Sequence, residues 1–402
     1  MPLRAMLSAS PSAVLALLFG IVLGVSADAR VTSAAVPVRP TAASSTRVAA
    51  SVPRASPRAS VKPAPRAEAA REGDLVLHDF RFSTGEIVPE LRLHWLTLGR
   101  PARDGRGEVT NAVLVLHGTG GSGRQFLVPQ FASELYGPGA PLDTTRYYVV
   151  LPDGIGHGRS SKPSDGLHAH FPAYTYDDMV EAQRRVLVDA LGVRHLRLVM
   201  GTSMGGMHTW LWGVSHPGMM DALMPLACQP VAIAGRNRVW RELIMDAIRT
   251  DPDWQGGEYT AQPARALRTA AGLLLIAGSA PLPMQSTLGS RDSADRWLAR
   301  ELPRRMAGLD ANDLLFQLAA SRDYDPSARL GGIRAPVLFV NSADDFINPP
   351  ELRIAEREIQ RVPHGRFVML PADLEGHGHG SHTWAARWQQ HLAALLAESV
   401  PH

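Results

Sequence analysis

A serine hydroxyl is a weak nucleophile that reacts readily only beside a base, with an acid behind the base to orient it. Ser203 stands in Gly201-Thr202-Ser203-Met204-Gly205-Gly206, a G-x-S-x-G that follows the apolar run at 196–200 and precedes a helical pattern starting near Gly205. That context makes a common pentapeptide specific. The serine must sit on a sharp strand-to-helix turn, where the flanking glycines remove the Cβ atoms that would collide as the two elements approach. Its Oγ then projects near a helix N-terminus, whose free amides help hold an oxyanion. The chemistry predicted is acyl transfer through a covalent ester on Ser203.

The acid and the base are expected later in the chain, after further strands. The apolar run at 336–340 leads into a turn with Asp344 and Asp345 ahead of Phe346, Ile347, Asn348 and Pro349, and either carboxylate could serve. A last run at 366–370 precedes a loop with His377, His379 and His382. His379 is the candidate base, with His382 three residues on at the expected head of a helix, and His377 and His382 are the alternatives. The loop His117-Gly118-Thr119-Gly120-Gly121 has the small residues that let an amide face a reacting carbonyl. The Thr119 and Met204 amides are therefore the expected oxyanion donors. His117 reads as a structural hydrogen-bonding residue.

The spacing of His377, His379 and His382 also admits a zinc site, resembling the H-x-H-x-D-H motif of metallohydrolases with Ser381 at the aspartate position. No second ligand cluster accompanies it, and it leaves the serine turn unexplained. No metal and no cofactor are assigned. Cys228 is the one cysteine of the chain, so an intramolecular disulfide is excluded. It has no sequence-adjacent base and is expected to pack in the core at the end of its strand.

These groups are positioned by an alternation of strands and helices. The segments 75–82 and 91–98 read as an opening antiparallel pair with a Gly-containing connection. The runs at 112–117, 147–151, 196–200, 222–227 and 336–340 are short and continuously apolar, and amphipathic stretches such as 176–191 lie between several of them. Continuous apolar strands separated by helices imply a mostly parallel sheet covered on both faces. Between 229 and 325 the alternation gives way to polar, Arg-rich sequence of helical period, too long for a loop and read as an inserted helical lid. The core is then 73–228 and 326–402. The apolar stretch 270–277 of the lid (AAGLLLIA) could line an acyl pocket, although lid core is the favoured role.

The N-terminus differs in kind. Arg4, an apolar stretch over 13–25 and the small residues Val25, Ser26 and Ala27 describe a secretory signal over 1–27. The following 28–72 is Ala, Pro, Arg, Ser and Val with almost nothing to bury, a Pro-stiffened linker. The chain as a whole, 402 residues at 45% hydrophobic and 20% charged, is of globular composition. Its net charge of +3 comes from the first 72 residues, which leaves the body mildly acidic and without a basic face for nucleic acid. The expected partner is a small acyl ester, with no stable membrane insertion once the signal is removed, and the expected location is periplasmic or secreted.

Taken together, the residues resemble the homoserine O-acetyltransferase-like branch of the α/β-hydrolase superfamily over most of 80–395. The motifs that carry the resemblance are the strand at 111–118, the segment 137–148 with Asp143, the turn 201–207 around Ser203, and 251–259 (DPDWQGGEY) in the lid. The resemblance implies an α/β-hydrolase fold with an inserted lid. It also implies that Asp345, four residues ahead of Pro349, is the acid, with Asp344 a turn residue, and that Asp153 to Ser160 is a structural turn in which His157 has no chemical role. The branch often dimerises. The departures bear on function: Gly380 follows His379 where the family has a carboxylate for the substrate amine. The lid arginine and tyrosine that read homoserine fall at Ala270 and Ala277, with Arg268 nearby as a candidate substitute. The family's Gly-Cys-x-Gly-Ser-Thr segment is replaced by 153–161. Losing the partner of a buried ligand charge costs ~2 to 5 kcal/mol. Acetyl-CoA, moreover, is a cytoplasmic donor. A carboxylester hydrolase using Ser203, His379 and Asp345 is therefore expected, ahead of an acyltransferase with a small acceptor other than homoserine, and ahead of a non-catalytic binding protein on the same fold.

Overall fold

A computed structural model of the chain describes residues 70–401. The expected signal over 1–27 and all but the last residues of the expected linker lie outside the described residues. The linker ends earlier than the sequence pattern suggests. β1 (Arg71–Arg81) runs antiparallel to β2 (Ile87–Leu98), and Arg71 and Glu72 already pair with Thr97 and Leu96. A ladder is made by main-chain groups, so polar side chains at an edge strand do not prevent it. Glu72 in addition accepts from Arg124 and Arg159.

The remaining strands are β3 (Ala112–Leu116), β4 (Tyr148–Pro152), β5 (Leu198–Thr202), β6 (Leu223–Leu226), β7 (Val337–Ser342) and β8 (Gly365–Leu370). They complete one eight-stranded sheet in the order β1-β2-β4-β3-β5-β6-β7-β8. β2 pairs antiparallel with β4, and every later pairing is parallel. All residues of β3, β4, β5 and β6 are buried, as strands covered on both faces must be. Alternation divides them: Val113, Val115, Val149 and Leu198 pack with Phe131 and Trp388 on one face, and Leu114, Val150 and Val199 pack with Met179, Trp210 and Phe339 on the other.

The helices α1 (Pro129–Leu135), α2 (Tyr176–Arg185), α3 (Met204–Ser215), α9 (Ile354–Ile359) and α10 (Gln389–Glu398) flank the sheet. Two differences from the sequence pattern appear. α2 stops at Arg185, and its apolar periodicity continues through Val186–Ala190 as a wider π turn. His382 does not head a helix: it lies in a short 3-10 turn, Gly378–Thr383, and α10 begins only at Gln389. Gly378, at φ 57°, directs the chain into that turn.

Between β6 and β7 the insertion forms α4 (Gly235–Thr250), α5 (Ala264–Ala277), α6 (Pro281–Thr287), α7 (Arg291–Met306) and α8 (Ala311–Ala319). α4, α5 and α8 share a core of their own around Trp240, Ile244, Met245, Leu267 and Leu314. The Tyr324 hydroxyl donates to the Gln229 carbonyl at 2.9 Å and so closes the two ends of the insertion on each other. In the sheet, the chain leaves β3 for β4 on one side and returns to place β5 on the other. The carboxyl ends of β3 and β5 therefore bound the crevice where open parallel sheets hold their ligands.

Candidate active site

Ser203 is the residue between β5 and α3, and its backbone lies at φ 56°, ψ −113°. A non-glycine residue is costly in that region and persists only where the surroundings fix it. Here they do: Ser203 N–H donates to the Leu226 carbonyl at 2.9 Å. A Cβ on Gly201 would stand 2.1 Å from the Gly205 carbonyl oxygen, and one on Gly205 would stand 2.0 Å from that of Leu116. The two glycines thus let α3 start directly against β3 and β5.

His379 reaches Ser203 from the loop after β8, and its Nε2 lies 2.8 Å from Ser203 Oγ. Its Nδ1 lies 2.9 Å from Asp345 Oδ2. An ionised carboxylate can only accept, so Nδ1 carries the hydrogen and Nε2 is left to accept from the serine hydroxyl. Asp345 follows β7 and is 2% exposed. Its Oδ1 also accepts from the N–H groups of Ile347 at 2.7 Å and Asn348 at 3.1 Å, and its Oδ2 from Asn348 Nδ2 at 2.9 Å. Burial alone would push this carboxyl up, but the His379 ring and the Asn348 donors outweigh it and hold the group below the ordinary carboxylate range.

Asp344 is differently occupied. It accepts from Ser342 Oγ at 2.6 Å and from Gly378 N–H at 3.0 Å, and so ties the histidine loop to the end of β7. The other two histidines of the loop also have separate surroundings. His377 stacks on Trp384 with centroids 3.9 Å apart. The His382 ring stands edge-on to His379 at 5.3 Å, and burial followed by the charge of His379 pushes its pKa down to about 3. Among the described residues no three His, Cys, Asp or Glu side chains converge as a metal site.

The 117–121 loop also comes close to Ser203, where a Cβ on Gly118 would sit 3.4 Å from the Ser203 Cβ. Thr119 follows Gly118, and Met204 opens α3, so its N–H is among those with no intrahelical acceptor. His117 Nε2 accepts from Gly154 N–H at 2.9 Å, and His157 Nδ1 lies 2.9 Å from the Ile155 carbonyl oxygen. Both rings are buried supports of the loops. Asp153 accepts from Gly123 and Arg159 N–H groups and closes its own turn.

Ser203 opens into a cavity of about 910 Å³ between the sheet and the lid, lined among others by Met207, Cys228, Gln229, Arg241, Ile276 and Ile347. Cavities of this size hold small organic ligands. Of the stretch 270–277, Ile276 faces the cavity while Ala270, Ala271, Leu275 and Ala277 are buried. Arg268 is exposed and is not among the lining residues, so it does not stand in for the arginine expected near Ala270. Cys228 is 2% exposed, burial pushes its thiol up, and both of its main-chain polar groups are bonded to the Asn341 side chain. Asn348 and Arg241 were not anticipated. The first could have been found from its place three residues after Asp345 and before a proline, where an Asx turn forms. The second could have been found as a charge at an apolar position of a helical period.

A serine hydroxyl, an imidazole and a carboxylate in series, with a cavity beside the serine, can deprotonate the serine and carry an acyl group. A family model described as alpha/beta hydrolase fold matches residues 111–391. A probable acyltransferase of Methanothermobacter thermautotrophicus is 30% identical over 302 residues, covering 75% of this chain and 90% of that protein. A homoserine O-acetyltransferase of Moorella thermoacetica is 34% identical over 281 residues, covering 60% of this chain and 74% of that protein. Among solved structures the acetyl esterase MekB superposes with a TM-score of 0.71 at 24% identity, over 82% of this chain and 97% of that one.

Proposed function

From the premise that the chain belongs to the α/β-hydrolase fold family, in its homoserine O-acetyltransferase-like branch, we propose that it is a serine hydrolase that cleaves a carboxylic ester outside the cytoplasm. The observation that carries this reading is the series Ser203 Oγ, His379 Nε2, His379 Nδ1, Asp345 Oδ2, with 2.8 and 2.9 Å links, of which Ser203 and Asp345 line the cavity. Ser203 Oγ attacks the ester carbonyl while its proton passes to His379 Nε2. Asp345 holds the ring in the tautomer this requires and stabilises the imidazolium. The Thr119 and Met204 amides receive the oxyanion. The leaving alcohol takes its proton from Nε2, and water, deprotonated in turn by His379, releases the acid.

Water as acceptor is favoured by the residues that are missing. Gly380 follows His379 and offers no carboxylate to a substrate amine, and Ala270 and Ala277 are buried, apolar and short. The signal pattern over 1–27 supports a periplasmic or secreted location, away from acetyl-CoA. A second reading, acyl transfer to a small alcohol or amine, is supported by the acyltransferase relatives.

The test is turnover of p-nitrophenyl esters from acetate to dodecanoate by the full chain and by Ser203→Ala. Hydrolysis that falls by several orders of magnitude in the variant is expected. Activity retained by Ser203→Ala would overturn the scheme, and product formed only with an added alcohol or amine would move the reading to acyl transfer.

A further inference from the structure

Arg241 lies on α4 with Ile244, Met245 and Ile248 following at the spacing of one helix face, and those three are buried in the lid core. Arg241 itself is 2% exposed, and it lines the cavity into which Ser203 opens. A guanidinium has five N–H donors and does not shed its charge in proteins. The partners of Arg241 are all neutral. Nε donates to Asn237 Oδ1 at 3.0 Å, Nη1 to Ser321 Oγ at 3.3 Å, and the group faces the Trp240 ring and the Tyr176 hydroxyl. Among the described residues no carboxylate forms an ion pair with it.

The contrast with Arg236 on the same helix is instructive. That side chain is exposed, donates to the Phe346 carbonyl at 2.6 Å and stacks over the Phe346 ring, so water and the ring balance its charge cheaply. Arg241 also lies over a ring, that of Trp240, but it is shut off from water, and a buried charge without an opposite charge is retained at a cost. Gln229, which lines the same cavity, has its amide oxygen buried without a partner and can turn its NH2 toward an incoming oxygen.

We propose that Arg241, with Gln229, binds a carboxylate carried by the substrate, so that the preferred substrates are esters bearing a free carboxylate on either the acyl or the alcohol part. This rests on the hydrolase reading above and names the substrate class of the same site. The carboxylate is bound and does not react, while the ester bond breaks as described. A planar fork facing two carboxylate oxygens gives charge-assisted hydrogen bonds that a neutral isostere cannot make.

Two matched pairs test it on the full chain: mono-p-nitrophenyl glutarate against p-nitrophenyl pentanoate, and the acetate ester of γ-hydroxybutanoate against butyl acetate. In one pair the anionic member is expected to have a kcat/KM higher by roughly ten- to a hundredfold. The pair that shows it identifies whether the carboxylate sits on the acyl or the alcohol side. Arg241→Met should abolish that ratio and Arg241→Lys should keep part of it. Equal members in both pairs, or a ratio unchanged in Arg241→Met, overturns the proposal and leaves ester hydrolysis standing. Absence of Ser203-dependent turnover of every ester overturns the hydrolase reading instead. Calorimetric titration of glutarate and γ-hydroxybutanoate onto Ser203→Ala then decides on Arg241 separately, and also if the Arg241 variants do not fold. Binding of either carboxylate, and not of pentanamide, supports the proposal, and binding of neither overturns it.

Discussion

Asp344 and Asp345 show how little separates a structural from a chemical carboxylate in sequence and how much separates them in space. Asp345 touches the imidazole, and Asp344 holds Ser342 and the Gly378 amide. Asp345→Asn is expected to lower kcat by about 10³- to 10⁴-fold, because an amide in that place no longer fixes the histidine tautomer. Asp344→Asn should stay within about tenfold, since it trades one or two loop hydrogen bonds. Steady-state kinetics of both variants on one ester checks the pair, and comparable losses would remove the distinction. Of the residues brought together, Ser203 and His379 were legible because each sits just past an apolar run at a turn with its own signature, whereas Asp345 was separated from Asp344 only by the family resemblance. Asn348 and Arg241 were less legible: the first acts through Asp345, and the second only through the burial of one helix face, which the folded insertion determines.

At the scale of elements, the approach of α3 to the sheet is set by missing side chains. Gly205→Ala puts a methyl 2.0 Å from the Leu116 carbonyl oxygen, a backbone atom that cannot swing aside. The expected loss of stability is about 3 kcal/mol or more in urea unfolding. Gly272 in α5 is the control, because a Cβ there meets nothing within 4 Å. Gly272→Ala should gain about 0.5–1 kcal/mol from the lost flexibility of the unfolded chain. A Gly205→Ala protein as stable as its parent would mean that α3 is free to retreat. The core strands were legible because sheets covered on both faces need continuous apolar runs. Their ends, the π turn after Arg185 and the 3-10 turn at His382 were not, since main-chain partners far along the chain decide them.

At the scale of the molecule, the question is how the insertion is held to the body that carries Ser203 and His379. The break in periodicity at 229–325 was legible as an insertion, but its fastenings were not. They include Arg236 on the Phe346 carbonyl, Gln317 Nε2 on the Gly156 carbonyl at 2.8 Å, and the Asp313 carboxyl of α8 on Ser164. Asp313 accepts from Ser164 N–H at 2.9 Å and from its hydroxyl at 2.7 Å. Burial nevertheless pushes its pKa up to about 6, the Ser164 donors only partly opposing, and Asp310 adds to the rise. A carboxyl whose folded pKa lies above the unfolded value favours folding while protonated. Its contribution is complete below about pH 4 and is lost as the pH rises through about 6. An asparagine in its place keeps an acceptor for Ser164 and has no charge to desolvate. The difference in unfolding free energy between Asp313→Asn and the parent should therefore move toward the variant by about 2–3 kcal/mol between pH 4 and pH 7. Thermal unfolding of both proteins across that range reads it directly. A difference independent of pH would mean that the Ser164 donors keep the carboxylate ionised throughout, and that the lid is fastened there by charge-assisted hydrogen bonds at every pH.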